Sequence, residues 1–257
     1  MTAVAVRWPR AATQWGVPAT LIATFGIVAV AAAAQAVTGF GFALLAVPLL
    51  ALIMPVDIAV VVGSIASLAM SVVTAARDRA YVQWRTAAVI VAVAIVAMPL
   101  GLYLLVALPA SALTALVGVT VLVSTFLVWR RPALPAGRGT LVCIGLLVGL
   151  LTTATGTNGP PLVAAFQSLG YGKQAFRATI AAVFVGCGIV SIGFFAYGNE
   201  LTTPAVQGCL LGIPGGFIGW WAGDHIFRRL DAHVFRVVVL VALVAASVVT
   251  LVRAVVG

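Results

Sequence analysis

Two short stretches hold most of the groups that can do chemistry in this chain. Gly39-Phe40-Gly41 and Gly156-Thr157-Asn158-Gly159-Pro160-Pro161 each interrupt long apolar sequence. Glycines let the main chain leave a helix and let a ligand approach the backbone. Pro160 suits the first turn of a new helix, where its missing N–H is no loss. Asn158 or Gly159 is then placed to cap that helix. Free N–H groups at a helix start favour an anion, and the helix dipole adds to this. Thr155, Thr157 and Asn158 can donate side-chain hydrogen bonds, and Phe40 and Phe42 can shield the site from water. The chemistry indicated is anion binding by unwound backbone.

Other polar groups matter because they are rare in such surroundings. Gln35 precedes the first stretch, and Gln167 follows the second. Lys173 and Arg177 come next and can attract an anion. Asp57, Glu200 and Asp224 read as loop or capping residues. Ser64, Ser67 and Ser71 share one helix face by their i, i+3, i+7 spacing, which reads as hydrogen bonding between helices. Cys143, Cys187 and Cys209 all lie inside apolar runs and read as packing residues. No metal or cofactor site is expected. An intramembrane enzyme needs a nucleophile with its base, or metal ligands. The only histidines, His225 and His233, share one loop, and no buried acidic pair is apparent.

The elements that position these stretches follow from composition. Of 257 residues, 63% are hydrophobic and 7% charged, with a mean hydropathy of +1.23. Soluble domains are about half apolar and a quarter charged, so a soluble globular protein is excluded, as is a disordered chain. At about 20 residues per span, roughly eight to ten helices fit. Long runs without alternation exclude a β-barrel. The apolar runs are Val17 to Val37, Phe42 to Met54, Ile58 to Ala76, Thr86 to Leu108 (broken at Pro99-Leu100-Gly101), Ser111 to Trp129, Thr140 to Thr155, Leu162 to Leu169, Ala178 to Tyr197, Ala205 to Ala222 and Val234 to Val252. The first is read as a retained helix in preference to a cleaved signal, despite Arg7, Arg10 and the Ala-rich stretch that ends it.

The two halves match under an offset of 115 residues. Gly41 then falls on Gly156, and Pro99 and Gly101 fall on Pro214 and Gly216. The expected organisation is an N-terminal tail (1–16), a first transmembrane repeat (17–131), a linker (132–139) and a second repeat (140–257). Net charge is +9. Its Lys and Arg lie singly or in pairs between apolar runs, which reads as topology marking in a membrane protein and not as nucleic-acid binding. If all ten runs cross with both termini outside, eleven Lys and Arg lie inside and three outside. If the two short runs are re-entrant, the count is nine against five, so ten crossings obey the positive-inside bias better. Five helices per half is an odd number, so the halves must be inverted, as in secondary transporters. Phe42 to Met54 covers about 20 Å as a helix, short of a hydrocarbon core of about 30 Å. Short, Gly/Pro-interrupted segments in matching places point to a transporter's binding site.

Both stretches also resemble a known family. Gly39-Phe40-Gly41 with Leu44-Leu45-Ala46-Val47-Pro48-Leu49-Leu50 is similar to the first conserved segment of the TauE/SafE family. Gly156-Thr157-Asn158-Gly159-Pro160-Pro161-Leu162-Val163, with Phe176-Arg177-Ala178-Thr179, is similar to the second. The chain departs from the common pattern at Phe42-Ala43 and Thr157-Asn158. The resemblance spans nearly the whole chain and implies a sulfite exporter or a permease for organosulfonates and related small anions.

The expected protein is an all-α polytopic membrane protein of two inverted repeats of about five helices. The second helix of each repeat is short and preceded by a Gly-rich break. It lies in a bacterial-type inner membrane, with lipid and a small anion as its partners. The expected substrate-binding residues are Gln35, Gly39, Phe40, Gly41, Thr155, Gly156, Thr157, Asn158, Gly159, Pro160, Gln167 and Arg177. No G-x-x-x-x-G-K-[ST] stretch exists, so transport is expected without ATP hydrolysis by this chain. The competing expectation is an anion channel or a membrane-assembly partner without a transport cycle. The sequence leaves the oligomeric state open.

Overall fold

The structure is a computed structural model that describes residues 18–130, 137–227 and 248. Nine α-helices lie among the described residues. They are α1 (Pro18–Thr38), α2 (Phe42–Leu50), α3 (Val56–Arg77), α4 (Trp84–Ala107), α5 (Ala110–Arg130), α6 (Arg138–Ala154), α7 (Gly159–Ser168), α8 (Lys173–Tyr197) and α9 (Thr203–Phe227). One 3-10 turn, Arg79–Tyr81, joins α3 to α4. The span expected at Val234 to Val252, the N-terminal tail with Arg7 and Arg10, and most of the 132–139 linker lie outside the described residues.

Four stretches are long and apolar enough to cross a bilayer: Ala19–Ala36, Val56–Arg77, Trp84–Ala107 and Gln174–Tyr197. Their outward faces carry exposed aliphatic side chains such as Ile22, Val96 and Ile189, as lipid requires. Trp84, Tyr81 and Trp221 are exposed near one end of the bundle, and Tyr103 and Tyr197 near the other. Aromatic side chains at both ends match the two membrane–water interfaces. The protein is a multi-pass helical membrane protein.

Two elements differ from expectation. The fourth apolar run is not broken at Pro99-Leu100-Gly101, because α4 continues through Pro99. Proline takes away the N–H that would bond the Ile95 carbonyl, a loss that membrane helices tolerate, and beside it the Thr153 hydroxyl donates to the Met98 carbonyl at 2.8 Å and ties α6 to α4. Pro214 likewise lies inside α9. The second run stops being helical at Leu50, and residues 51–54 form turns. At nine and ten residues, α2 and α7 span about 14–15 Å each. All of α2 except Leu49 is buried, so its short length never meets lipid.

Glycine seams set the helix directions. Gly215 abuts Phe25, Gly219 abuts Ala29 and Gly223 abuts Ala33, so α1 and α9 run parallel at close range. Gly145 abuts Val93, Gly149 abuts Ala94 and Gly101 abuts Thr153, so α4 and α6 run parallel. A side chain on Gly219 or Gly149 would meet partner backbone, which is why these crossings need glycine. Helix α3 runs parallel to α9 (Val62 at Gly208, Met70 at Gly216), and α4 parallel to α8 (Val91 at Gly186, Leu102 at Gly198). Helices α3 and α8 oppose each other: Leu68 abuts Gly188, while Asp78 pairs with Arg177. Helices α1, α3 and α9 therefore point one way, and α4, α6 and α8 the other.

Two ion pairs join residues from the two halves of the chain at one end of the bundle. Arg77 meets Asp224 at 3.2 Å, with its guanidinium 5.7 Å from the Trp220 ring centroid. Arg177 meets Asp78 at 3.1 Å.

Candidate functional site

The first break is built by two glycines in the left-handed region, Gly39 at φ +80° and Gly41 at φ +97°. L-residues with a side chain adopt this region at a cost of about 1–2 kcal/mol. The Gly39 N–H donates to the Gln35 carbonyl at 2.7 Å and closes α1. The Gly41 carbonyl accepts from Leu45 and opens α2, with no side-chain cap. The first-turn N–H groups of α2 are thus left without a side-chain acceptor.

The second break follows α6, whose last turn is closed by the Thr155 N–H on the Leu151 carbonyl. Gly156 then turns the chain at φ +69°, and α7 starts at Gly159 with Pro160 in its first turn. The threonine protons here have protein acceptors. Thr155 Oγ1 donates to the Leu151 carbonyl and lies 2.7 Å from Thr157 Oγ1. Thr152 donates to the Val148 carbonyl and accepts from the Asn158 side-chain amide at 2.8 Å. Asn158, which directly precedes α7, therefore ties the break back to α6 through Nδ2. Thr155, Gly156, Thr157, Gly159 and Pro160 are buried, and Asn158 is half-buried.

The fold brings the two breaks together. A Cβ placed on Gly159 would lie 3.7 Å from the Phe40 side chain. One placed on Gly156 would lie 3.4 Å from Val47 of α2 and 3.0 Å from Ser64 Oγ of α3. Residues more than a hundred positions apart thus share one buried junction. An aromatic group walls it: Phe40 meets Phe176 edge-on at 6.5 Å, and Phe176 meets Phe166 at 6.4 Å. Phe42 faces the core and is fully buried.

Gln35 and Arg177 flank the first break. Gln35 is buried, donates to Ser71 Oγ at 3.2 Å, and leaves Oε1 without a partner. The Arg177 stem packs on Gly39, 3.2 Å from where a Cβ would stand. Its guanidinium donates to the Ala36 carbonyl at 3.3 Å and is charge-balanced by Asp78. Gln167 lies in the last turn of α7, and its side chain is outside the described residues, as is that of Lys173.

Ser64 was not among the expected site residues. Serines spaced i, i+3, i+7 suggest helix contacts, and Ser71 does make one. Ser64 instead faces Gly156, and its hydroxyl has no partner. Nothing in the spacing separates these two roles.

With both breaks and their junction in view, comparison with known proteins gives the family. The model of the sulfite exporter TauE/SafE family matches residues 24–250. The chain belongs to the TauE/SafE family. The match runs from α1 through both breaks to beyond the last described helix. No curated protein and no solved structure matches the chain. TauE/SafE proteins are membrane transporters of the sulfite-exporter type, not enzymes, and a small anion is the cargo this membership suggests.

Proposed function

We propose that this TauE/SafE chain is a secondary carrier for a small oxyanion, such as sulfite or an organosulfonate, working by alternating access. The observation that carries the reading is the meeting of the two glycine breaks. Phe40 lies against Gly159, and Val47 against Gly156. Each break is followed by a short helix: α2 offers the N–H groups of Phe42, Ala43 and Leu44 to negative charge, while α7 offers that of Gly159, since Pro160 and Pro161 have none. The bound anion sits at this junction, contacted by the backbone of residues 39–41 and 156–160. Arg177 and Gln35 flank it.

The two halves act as inverted five-helix repeats. Three corresponding pairs, α1 with α6, α3 with α8 and α4 with α9, are opposed in direction, which supports the inversion. The matched seams support it too, since the first helix of each half packs on the fourth helix of the other. Rocking of the halves parts the junction toward either side. The end carrying the two ion pairs is cytoplasmic, in keeping with the excess of Arg and Lys in its loops, and both termini are outside.

Counterflow in proteoliposomes tests this. Purified protein is reconstituted with sulfite inside, and labelled sulfite uptake is followed. A carrier shows saturation and acceleration by internal substrate. Flux that rises linearly with concentration and ignores internal sulfite would identify a channel, and absence of any anion flux would leave an assembly role.

A further inference from the structure

We propose that Ser64 is a substrate-contacting residue whose hydroxyl donates a hydrogen bond to an oxygen of the anion held between the breaks. The inference rests on the reading of that junction as an anion site.

Ser64 lies eight residues into the 22-residue α3, about 12 Å from its start. Beside it, Gly63 has no side chain, so Val47 of α2 packs directly on the helix. The hydroxyl therefore faces a point where α2, α3 and the second break converge. Ser64 Oγ stands 3.0 Å from where a Cβ on Gly156 would be, so only a glycine there lets the second break approach the hydroxyl this closely.

The decisive feature is which protons remain. Thr152, Thr153 and Thr155 donate to carbonyls. With the Thr155 proton on the Leu151 carbonyl, the 2.7 Å contact places the Thr157 proton on Thr155 Oγ1. Helical hydroxyls elsewhere, such as those of Thr24 and Thr74, bond to the carbonyl four residues back. Ser64 does neither. Its residue is 9% exposed, and its Oγ has no hydrogen-bond partner. A buried hydroxyl left this way is costly. An oxyanion oxygen would remove that cost through a hydrogen bond to a charged acceptor, stronger than one between neutral groups. The ligand class is therefore an anion that presents an oxygen toward α3 while the breaks hold its charge.

Ser64→Ala is the test, with sulfite as the probe and full-length protein in detergent. Sulfite affinity, read by calorimetry, should fall about tenfold or more, the scale of a lost hydrogen bond to a charged group. The melting temperature should hold or rise, because the hydroxyl removed has no protein partner. Ser64→Cys keeps the shape with a weaker donor and should fall between the two. Equal sulfite affinity in wild type and Ser64→Ala overturns the inference and leaves the anion site standing. An affinity loss matched by a fall in melting temperature overturns it also, by giving Ser64 a structural role. A wild-type chain that binds neither sulfite nor a small sulfonate overturns the anion site itself, and this inference with it.

Discussion

Gly156 and Gly170 provide a matched pair for separating backbone strain from site chemistry. Both sit in the left-handed region, at φ +69° and +68°. Alanine there costs about 1–2 kcal/mol for the backbone alone. At Gly156 the added methyl also meets Ser64 Oγ at 3.0 Å and Val47 at 3.4 Å, while at Gly170 nothing lies within 4 Å. Gly170→Ala should therefore lower stability by the backbone amount, and Gly156→Ala by at least as much, because its neighbours must also give way. For a chain of this size the backbone amount is a melting-temperature shift of roughly 2–8 °C, carried over from soluble domains. Only Gly156→Ala intrudes on the junction of the breaks. Its sulfite flux in proteoliposomes should fall at least about tenfold, the equivalent of about 1.4 kcal/mol. Gly170→Ala should keep flux within about twofold. If the two variants lose flux equally, the loss belongs to backbone strain, and the placement of substrate against Gly156 is refuted.

Asn158→Asp puts a negative charge into the second break, so it should suppress sulfite binding more than Asn158→Ala, which removes only the bond to Thr152; titration calorimetry on both variants checks the order. The Arg77–Asp224 pair is partly exposed, with the arginine side chain 44% accessible, so Arg77→Asp should cost about 1 kcal/mol or less through lost attraction, plus repulsion from Asp224. Adding Asp224→Arg should recover most of the melting temperature, and no recovery would show that the pair does not tie the halves. Gly219→Leu drives a side chain into the backbone of α1 at Ala29 and should abolish folded protein on gel filtration, whereas Gly26→Leu, with open space around its Cβ position, should leave the elution profile unchanged.

The junction also explains how a chain this apolar can hold non-helical backbone. Free N–H and carbonyl groups in hydrocarbon cost several kcal/mol each. Here both breaks are enclosed by protein: α2 is buried almost throughout, and the second break bonds its own hydroxyls and amide. Among the described residues, the buried side-chain atoms without a hydrogen-bond partner include Ser64 Oγ and Gln35 Oε1, beside the breaks, as well as Thr202 Oγ1 and Trp220 Nε1.

Local pattern determined much of this protein. Hydropathy placed the helices to within a few residues, because lipid demands a long apolar run wherever a helix meets it. The breaks at Gly39–Gly41 and Gly156–Pro161 were legible because glycine and proline act on the backbone of their own neighbours. The 115-residue offset and the family motifs were legible for the same reason, being written along the chain. Proline in α4 misled, because a proline inside a membrane helix is tolerated where neighbouring helices pack along it, and the helix that does so here, α6, lies well beyond it in the chain. Tertiary structure alone decided that α1 lies along α9 and α4 along α6, that Phe40 touches Gly159, and that Asp78 answers the charge of Arg177. It alone separated Ser64 from Ser71. Those facts depend on which surfaces meet across the membrane, and a hydroxyl's partner is a property of the neighbour that packing supplies, not of its own position in the chain.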